Sequence, residues 1–113
     1  MGPESTLIII PTYNERENIS ALIEQILGIV PDADVLVVDD NSPDGTADEI
    51  VKLFGKDVRC SVLRRIGPRG FGRSLVDGYR YALAREYARL VQMDADFSHK
   101  PADVPRLINA LEP

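Results

Sequence analysis

Four aspartates stand in two short clusters, Asp39-Asp40 and Asp94-x-Asp96, each directly after a run of mostly apolar residues. Two carboxylates about 4 Å apart repel by about 4 kcal/mol at an effective dielectric near 20. Such a cluster therefore calls for a cation, a hydrogen-bond donor or a shared proton. Aspartates two apart in an extended turn can point the same way. That suits a hard divalent ion, Mg²⁺ or Mn²⁺, which takes oxygen ligands completed by water and phosphate. A metal held so can bridge a diphosphate and stabilise its charge as it leaves. An Asp-x-Asp alone is equally well a pair of solvated loop acids, and its position after an apolar strand is what favours chemistry.

Asp39 reads as a turn residue, because Asn41, Ser42 and Asp44-Gly45 supply turn chemistry just after it. Asp40 stays open between a structural acid and an acceptor for a nucleobase edge. Tyr13 can lie flat against a base or ribose, or be a half-buried loop tyrosine. Gly67-Pro68-Arg69-Gly70-Phe71-Gly72 is a glycine-rich loop that opens a helix. Helix N-termini attract anions, and Arg65 or Arg69 can reach a phosphate from there. Its spacing is not the dinucleotide fingerprint, and a plain flexible turn competes with it. His99, the one histidine, has no Cys or His at ligand spacing, so the pattern gives no zinc site. Cys60 is alone in an apolar segment and reads as a buried, inert thiol in a reducing compartment.

These groups need elements to position them. Thr6 to Ile10 and Val35 to Val38 are unbroken and mostly β-branched, as expected of strands covered on both faces. Val58 to Leu63 and Leu90 to Met93 are weaker strand candidates. Between them, Ile19, Leu22, Ile23, Ile26, Leu27 and Val30 form one stripe at helical spacing. Ala47, Ile50, Val51 and Phe54 form a second; Leu75, Tyr79, Leu83 and Tyr87 mark a third, longer helix. Asn14 with Glu17 has the form of a capping box, and Ser42-Pro43 places a cap before a first-turn proline. Pro101 opens a last helix to about Leu111. The order β-α-β-α-β-α-β-α with right-handed crossovers predicts an α/β fold. It would be a parallel, Rossmann-like sheet with helices on both faces, in one domain over residues 1–113. Ligands bind outside the carboxyl ends of such strands, where the acidic clusters sit.

The chain has 113 residues with 13 basic and 18 acidic side chains, a net charge of -5. That balance argues against a nucleic-acid partner, which needs a basic face, and leaves no polybasic patch for an anionic membrane. The apolar run Leu7 to Pro11 is too short for a signal peptide or a membrane span.

Taken together, Ile8-Ile9-Ile10-Pro11-Thr12-Tyr13-Asn14-Glu15, Val37-Val38-Asp39-Asp40-Asn41-Ser42-Pro43-Asp44-Gly45-Thr46, Gly70-Phe71-Gly72 and Gln92-Met93-Asp94-Ala95-Asp96-Phe97-Ser98-His99 resemble the GT-A, family 2 glycosyltransferases. Within that group they look most like the dolichol- or polyprenol-phosphate mannose synthases. The resemblance runs from about Leu7 to about Leu107, and the combination with Asn-Ser-Pro-Asp-Gly-Thr is its most specific part. It implies that Pro11, Tyr13, Glu15, Val38 and Asp40 line a nucleoside pocket. Arg69 would stand in a basic loop facing the donor. Asp94, Ala95 and Asp96 would meet the diphosphate, with Asp94, Asp96 and Ser98 around Mg²⁺ or Mn²⁺. The reaction implied is inverting transfer of mannose from GDP-mannose to a polyprenyl (dolichyl) phosphate, at the cytoplasmic face of a membrane.

The family pattern has a lysine where Pro68 stands. It also continues well past Asp-x-Asp, so the resemblance is to an N-terminal part, and an open sheet edge there predicts self-association. Two other classes share the pattern in part. A non-catalytic nucleotide-binding module would keep the same pocket. A phospho-receiver domain has the same alternation, but its acidic pair follows the first strand, whereas here the pair follows the second.

Overall fold

The computed structural model describes residues 5–95. The elements run β1 (Thr6–Thr12), α1 (Arg16–Ile29), β2 (Ala33–Asp39), α2 (Thr46–Phe54), β3 (Cys60–Arg64), α3 (Phe71–Ala84) and β4 (Arg89–Gln92). All pairings are parallel, in the order β3-β2-β1-β4. The first three strands step one way across the sheet and β4 returns to the other side of β1. The carboxyl ends of β1 and β4 are thus a topological switch point, where an open α/β sheet leaves a crevice.

β1 and β2 are central because both of their faces are apolar. In β1, Ile8 and Ile10 pack with Val35 and Val37 of β2 and with Ile19, Leu22, Ile23 and Ile26 of α1. Leu7 and Ile9 face the other way, with Leu36, Val38 and Ala82 of α3. Burying one such side chain fully contributes about 1.5–3 kcal/mol, so these two runs dominate the core. The α1 stripe is buried as its spacing predicts, while Leu27 is only partly buried at its margin.

Helix α3 differs from expectation. Its buried face is Ser74, Gly78 and Ala82, whereas Tyr79 is 39% and Leu83 75% exposed, and Tyr87 lies beyond the helix end. The cause is close approach. A Cβ at Gly78 would stand 2.9 Å from Ile9 Cγ2 and 3.4 Å from Val38 Cγ2, so the helix rests on β1 and β2 through its smallest residues. The expected third strand also starts late, at Cys60, and Val58 is exposed. The expected helix from Pro101 to about Leu111 lies outside the described residues. No described helix is long and apolar enough to cross a membrane.

Candidate functional site

Two loops at the carboxyl edge brace each other. Asp39 is buried; its Oδ1 accepts from the Thr12 hydroxyl at 2.7 Å and the Ser42 hydroxyl at 2.6 Å, and its Oδ2 accepts from the Ser42 N–H at 3.0 Å. The backbone N–H groups of Asn14, Glu15 and Arg16 donate to Ser42 Oγ (2.9 Å), Thr46 Oγ1 (3.1 Å) and Asp44 Oδ2 (3.2 Å). In return the Asp44 N–H donates to Asn14 Oδ1 at 3.3 Å.

The N-terminus of α1 is therefore capped from the next loop. The expected Asn14/Glu17 capping box does not form, because Asn14 has φ 56° and Glu15 holds the cap position. Nor does Ser42-Pro43 start α2. That helix begins at Thr46 after Gly45, whose φ of 85° suits glycine. Asp44 Oδ1 accepts from the Thr46 N–H at 2.9 Å and from its hydroxyl. Burial pushes the Asp44 carboxyl up, but the Thr46 hydroxyl, the Arg16 and Thr46 N–H groups and the Arg16 charge outweigh it and hold it below the usual range.

The brace aims Tyr13 and Glu15 into a cleft of about 230 Å³ at the switch point. The end of β1 supplies Pro11, Thr12, Tyr13 and Glu15, the end of β2 Asp40, the start of α3 Phe71 and Ser74, and the segment after β4 Asp94 and Ala95. Asp40 is only 7% exposed. Its Oδ2 accepts from the Gly70 N–H at 2.8 Å, and its Oδ1 accepts from Arg65 Nη1. Arg65 Nε donates to Asp77 Oδ2 at 2.7 Å. The Asp77 hydrogen bond raises the Arg65 pKa further above its ordinary value, against burial and together with Asp40. Arg69 lies over the Tyr13 ring, its guanidinium carbon 4.0 Å from the centroid. The glycine-rich loop is thus tied to the cleft at both Asp40 and Tyr13.

Of the residues singled out in the sequence, Pro11, Tyr13, Glu15, Asp40, Asp94 and Ala95 come together in the cleft, and Arg69 joins through Tyr13. Val38 does not. It is fully buried, pointing with Leu36 toward α3, and its Cγ2 meets Gly78 rather than the cleft. Arg65 is occupied by Asp40 and Asp77 instead of standing ready for a phosphate. Asp96 and Ser98 lie outside the described residues. Thr12, Phe71 and Ser74 line the cleft without having been singled out. Among the described residues no three His, Cys, Asp or Glu side chains cluster as a metal site. The cleft offers carboxylate and hydroxyl oxygens and neither thiol nor imidazole, a donor set for a hard cation.

The model of the family described as Glycosyl transferase family 2 matches residues 7–113. An undecaprenyl-phosphate mannosyltransferase from Micrococcus luteus is 46% identical over 105 residues, 93% of this chain and 43% of that protein. A polyprenol monophosphomannose synthase from Mycolicibacterium smegmatis is 44% identical over 112 residues, 96% of this chain and 42% of that protein. The chain spans less than half the length of either relative. Among solved structures, a mannosyltransferase from Pyrobaculum calidifontis in complex with GDP-Man and Mn²⁺ aligns with a TM-score of 0.74 at 25% identity. It covers 94% of this chain and 31% of that one. A glucosyl-3-phosphoglycerate synthase from Mycobacterium tuberculosis, at TM-score 0.74 and 22% identity, covers 95% and 39% and shares the fold. The parallel sheet with helices on both faces is the Rossmann-like arrangement of GT-A glycosyltransferases.

Proposed function

Because this chain belongs to glycosyl transferase family 2, we propose that it forms the nucleotide-sugar-binding part of an inverting mannosyltransferase acting on GDP-mannose and a polyprenyl phosphate. The observation that carries the reading is the cleft at the switch point, where Tyr13 under Arg69, Asp40 and Asp94 arrive from different strands and loops. The names of the two mannosyl-transferring relatives support the sugar and the lipid class. The GDP-Man and Mn²⁺ of the Pyrobaculum calidifontis neighbour support the donor and a divalent ion.

In this reading the nucleoside lies against Pro11 and Tyr13, with Glu15 and Asp40 offering acceptors to its polar groups. A cleft of about 230 Å³ is below the roughly 300–1,000 Å³ of whole-ligand sites, which fits a nucleoside better than an entire nucleotide sugar. Arg69 brings positive charge toward the diphosphate side. Asp94, with Asp96 and Ser98, would hold Mg²⁺ or Mn²⁺, whose chemistry when bound is to neutralise charge on departing GDP. The protein's own part is in-line positioning of donor and acceptor. A phosphate oxygen of the acceptor is already ionised near neutral pH, so a strong general base is needed less than for a hydroxyl acceptor. Such an acceptor puts the reaction at a membrane surface, with the sugar nucleotide arriving from the cytoplasm.

Calorimetry with GDP and UDP, with and without Mn²⁺, on the wild-type chain and on Asp96→Ala tests donor binding. GDP is expected to bind, Mn²⁺ to tighten it, and Asp96→Ala to abolish the metal effect. Equal binding with and without metal in both proteins defeats the metal role. Failure of a transferase that contains this nucleotide-sugar-binding part to form a mannosylated polyprenyl phosphate from GDP-mannose defeats the transfer itself.

A further inference from the structure

The segment that joins β3 to α3, residues 64–73, holds four arginines and no acid in a chain of net charge -5. It also exposes two large apolar side chains, Ile66 at 92% and Phe71 at 56%. A single exposed apolar residue is ordinary on a protein surface. Here two stand in one segment among arginines, and the segment is fixed from within. Arg65 runs inward to Asp40 and Asp77, and its Nη1 donates to the Pro68 carbonyl at 3.4 Å. The Gly70 N–H donates to Asp40 at 2.8 Å. With residue 65 anchored inward, its neighbour Ile66 is held out in solvent.

The charges divide in the same way. Arg65 is spent on buried acids, and Arg64 pairs with the exposed Asp48 at 2.8 Å. Arg69 and Arg73 are exposed on either side of Phe71. Charges farther away than about 8–10 Å are screened at ordinary ionic strength, so a partner at this segment meets the local arginines more than the net charge. Apolar side chains flanked by guanidinium groups complement a bilayer with anionic headgroups. The apolar groups enter the boundary with the acyl chains and the cations meet lipid phosphates. Phe71 also lines the cleft, so the segment is a rim of the site itself. A lipid acceptor brings its phosphate to that site while its chain stays in the bilayer, which requires the rim to lie at the membrane.

We infer that residues 64–73 are the surface by which this chain meets an anionic bilayer, with Ile66 and Phe71 entering the headgroup layer and Arg69 and Arg73 meeting lipid phosphates. The inference rests on the lipid acceptor proposed above. It orients the molecule, with the carboxyl edge of the sheet toward the membrane and the amino edge away from it.

The chain has no tryptophan, so one introduced tryptophan reports its own surroundings. Ile66→Trp places it in the segment. Val58→Trp places it at the other end of β3, at a position 94% exposed and roughly 17 Å of strand away. Each variant of the 113-residue chain is titrated with phosphatidylcholine vesicles and with vesicles of phosphatidylcholine and phosphatidylglycerol in equal parts. The emission of Ile66→Trp shifts to the blue on the mixed vesicles and less so in high salt, while that of Val58→Trp stays in place. Adding Arg73→Gln to Ile66→Trp weakens the partition about fivefold, ~1 kcal/mol for one arginine at an anionic surface. A shift in both reporters, or in neither, would overturn the inference. So would blue emission from Ile66→Trp before vesicles are added, which would mean that protein covers the segment. Calorimetry of GDP on wild type without vesicles separates the two readings. GDP binding with no vesicle shift overturns the role of the segment alone, and absence of GDP binding overturns the site reading on which it rests.

Discussion

Arg65 and Asp40 form a buried ion pair across the ends of β3 and β2, their side chains 9% and 10% exposed. Arg65 also reaches Asp77 on α3, and Asp40 also holds the Gly70 N–H at the start of that helix. One arginine thus ties two strand ends to a helix beside the cleft. Removing one partner of such a pair leaves an uncompensated buried charge, which costs about 3–5 kcal/mol. Arg65→Met is expected to lose about 3 kcal/mol in urea unfolding. Arg65→Met with Asp40→Asn recovers part of it, because the stranded charge is gone. Additive losses in the double variant would show that the pair is not what stabilises this edge.

Gly78 lies against Ile9 and Val38, and Ile9 is fully buried. Alanine there gains about 1 kcal/mol of helix propensity. It also forces a methyl to within 2.9 Å of Ile9 Cγ2, a branched carbon on a central strand that cannot swing away. Overpacking of this kind costs about 1–3 kcal/mol, so the clash is expected to win. Gly78→Ala should destabilise by about 1 kcal/mol. A higher melting temperature for Gly78→Ala would show that α3 can lift off the sheet at no cost.

The same position explains what could and could not be read in the letters. Thr6 to Ile10 and Val35 to Val38 are strands because β-branched side chains fill both faces, a signal carried by each run itself. The α1 stripe is legible for the same reason. Helix α3 was misjudged because its packing face is Ser74, Gly78 and Ala82, small residues with no hydrophobic signal, while the large apolar ones flank it.

The α1 cap was missed because its acceptors, Ser42, Asp44 and Thr46, stand 28–31 residues away, beyond any local pattern. Val38 is different, since a signal was available. Alternation along β2 puts it on the Leu36 face, away from the cleft. Tyr13, Asp40 and Asp94 were legible because strand ends converge at a switch point, whereas the places of Pro11, Glu15 and Ala95 in the cleft were implied by the family resemblance.

Asp44 makes the loop brace sensitive to acid. Its pKa is lowered in the folded chain, where the Thr46 hydroxyl and the Arg16 and Thr46 N–H groups prevail over the opposing effect of burial. A depressed carboxylate adds stability that is fully present above its unfolded pKa of about 4 and fades as pH falls through the lower folded value. The wild-type melting temperature should therefore drop below about pH 4. Asp44→Asn should begin less stable at neutral pH and lose less on acidification. Parallel acid limbs for the two proteins would mean that Asp44 is not among the groups that set acid stability.

Cys60 begins β3 under the apolar layer of α1 and α2 and is 9% exposed. Burial, with a smaller contribution from Asp57, pushes its thiol up from 9.0 to about 11. The thiolate is the reactive form, so at pH 8 the native thiol is nearly all neutral as well as covered. A colorimetric disulfide reagent should label the native chain slowly at pH 8 and the urea-unfolded chain promptly. A raised thiol pKa also means that the folded state retains its proton longer than the unfolded one. The associated stability is full below about 9 and is lost as pH rises toward about 11. Cys60→Ala should flatten that alkaline decline while costing some packing at neutral pH. Prompt labelling of the native chain at pH 8 would contradict a covered thiol at the head of β3.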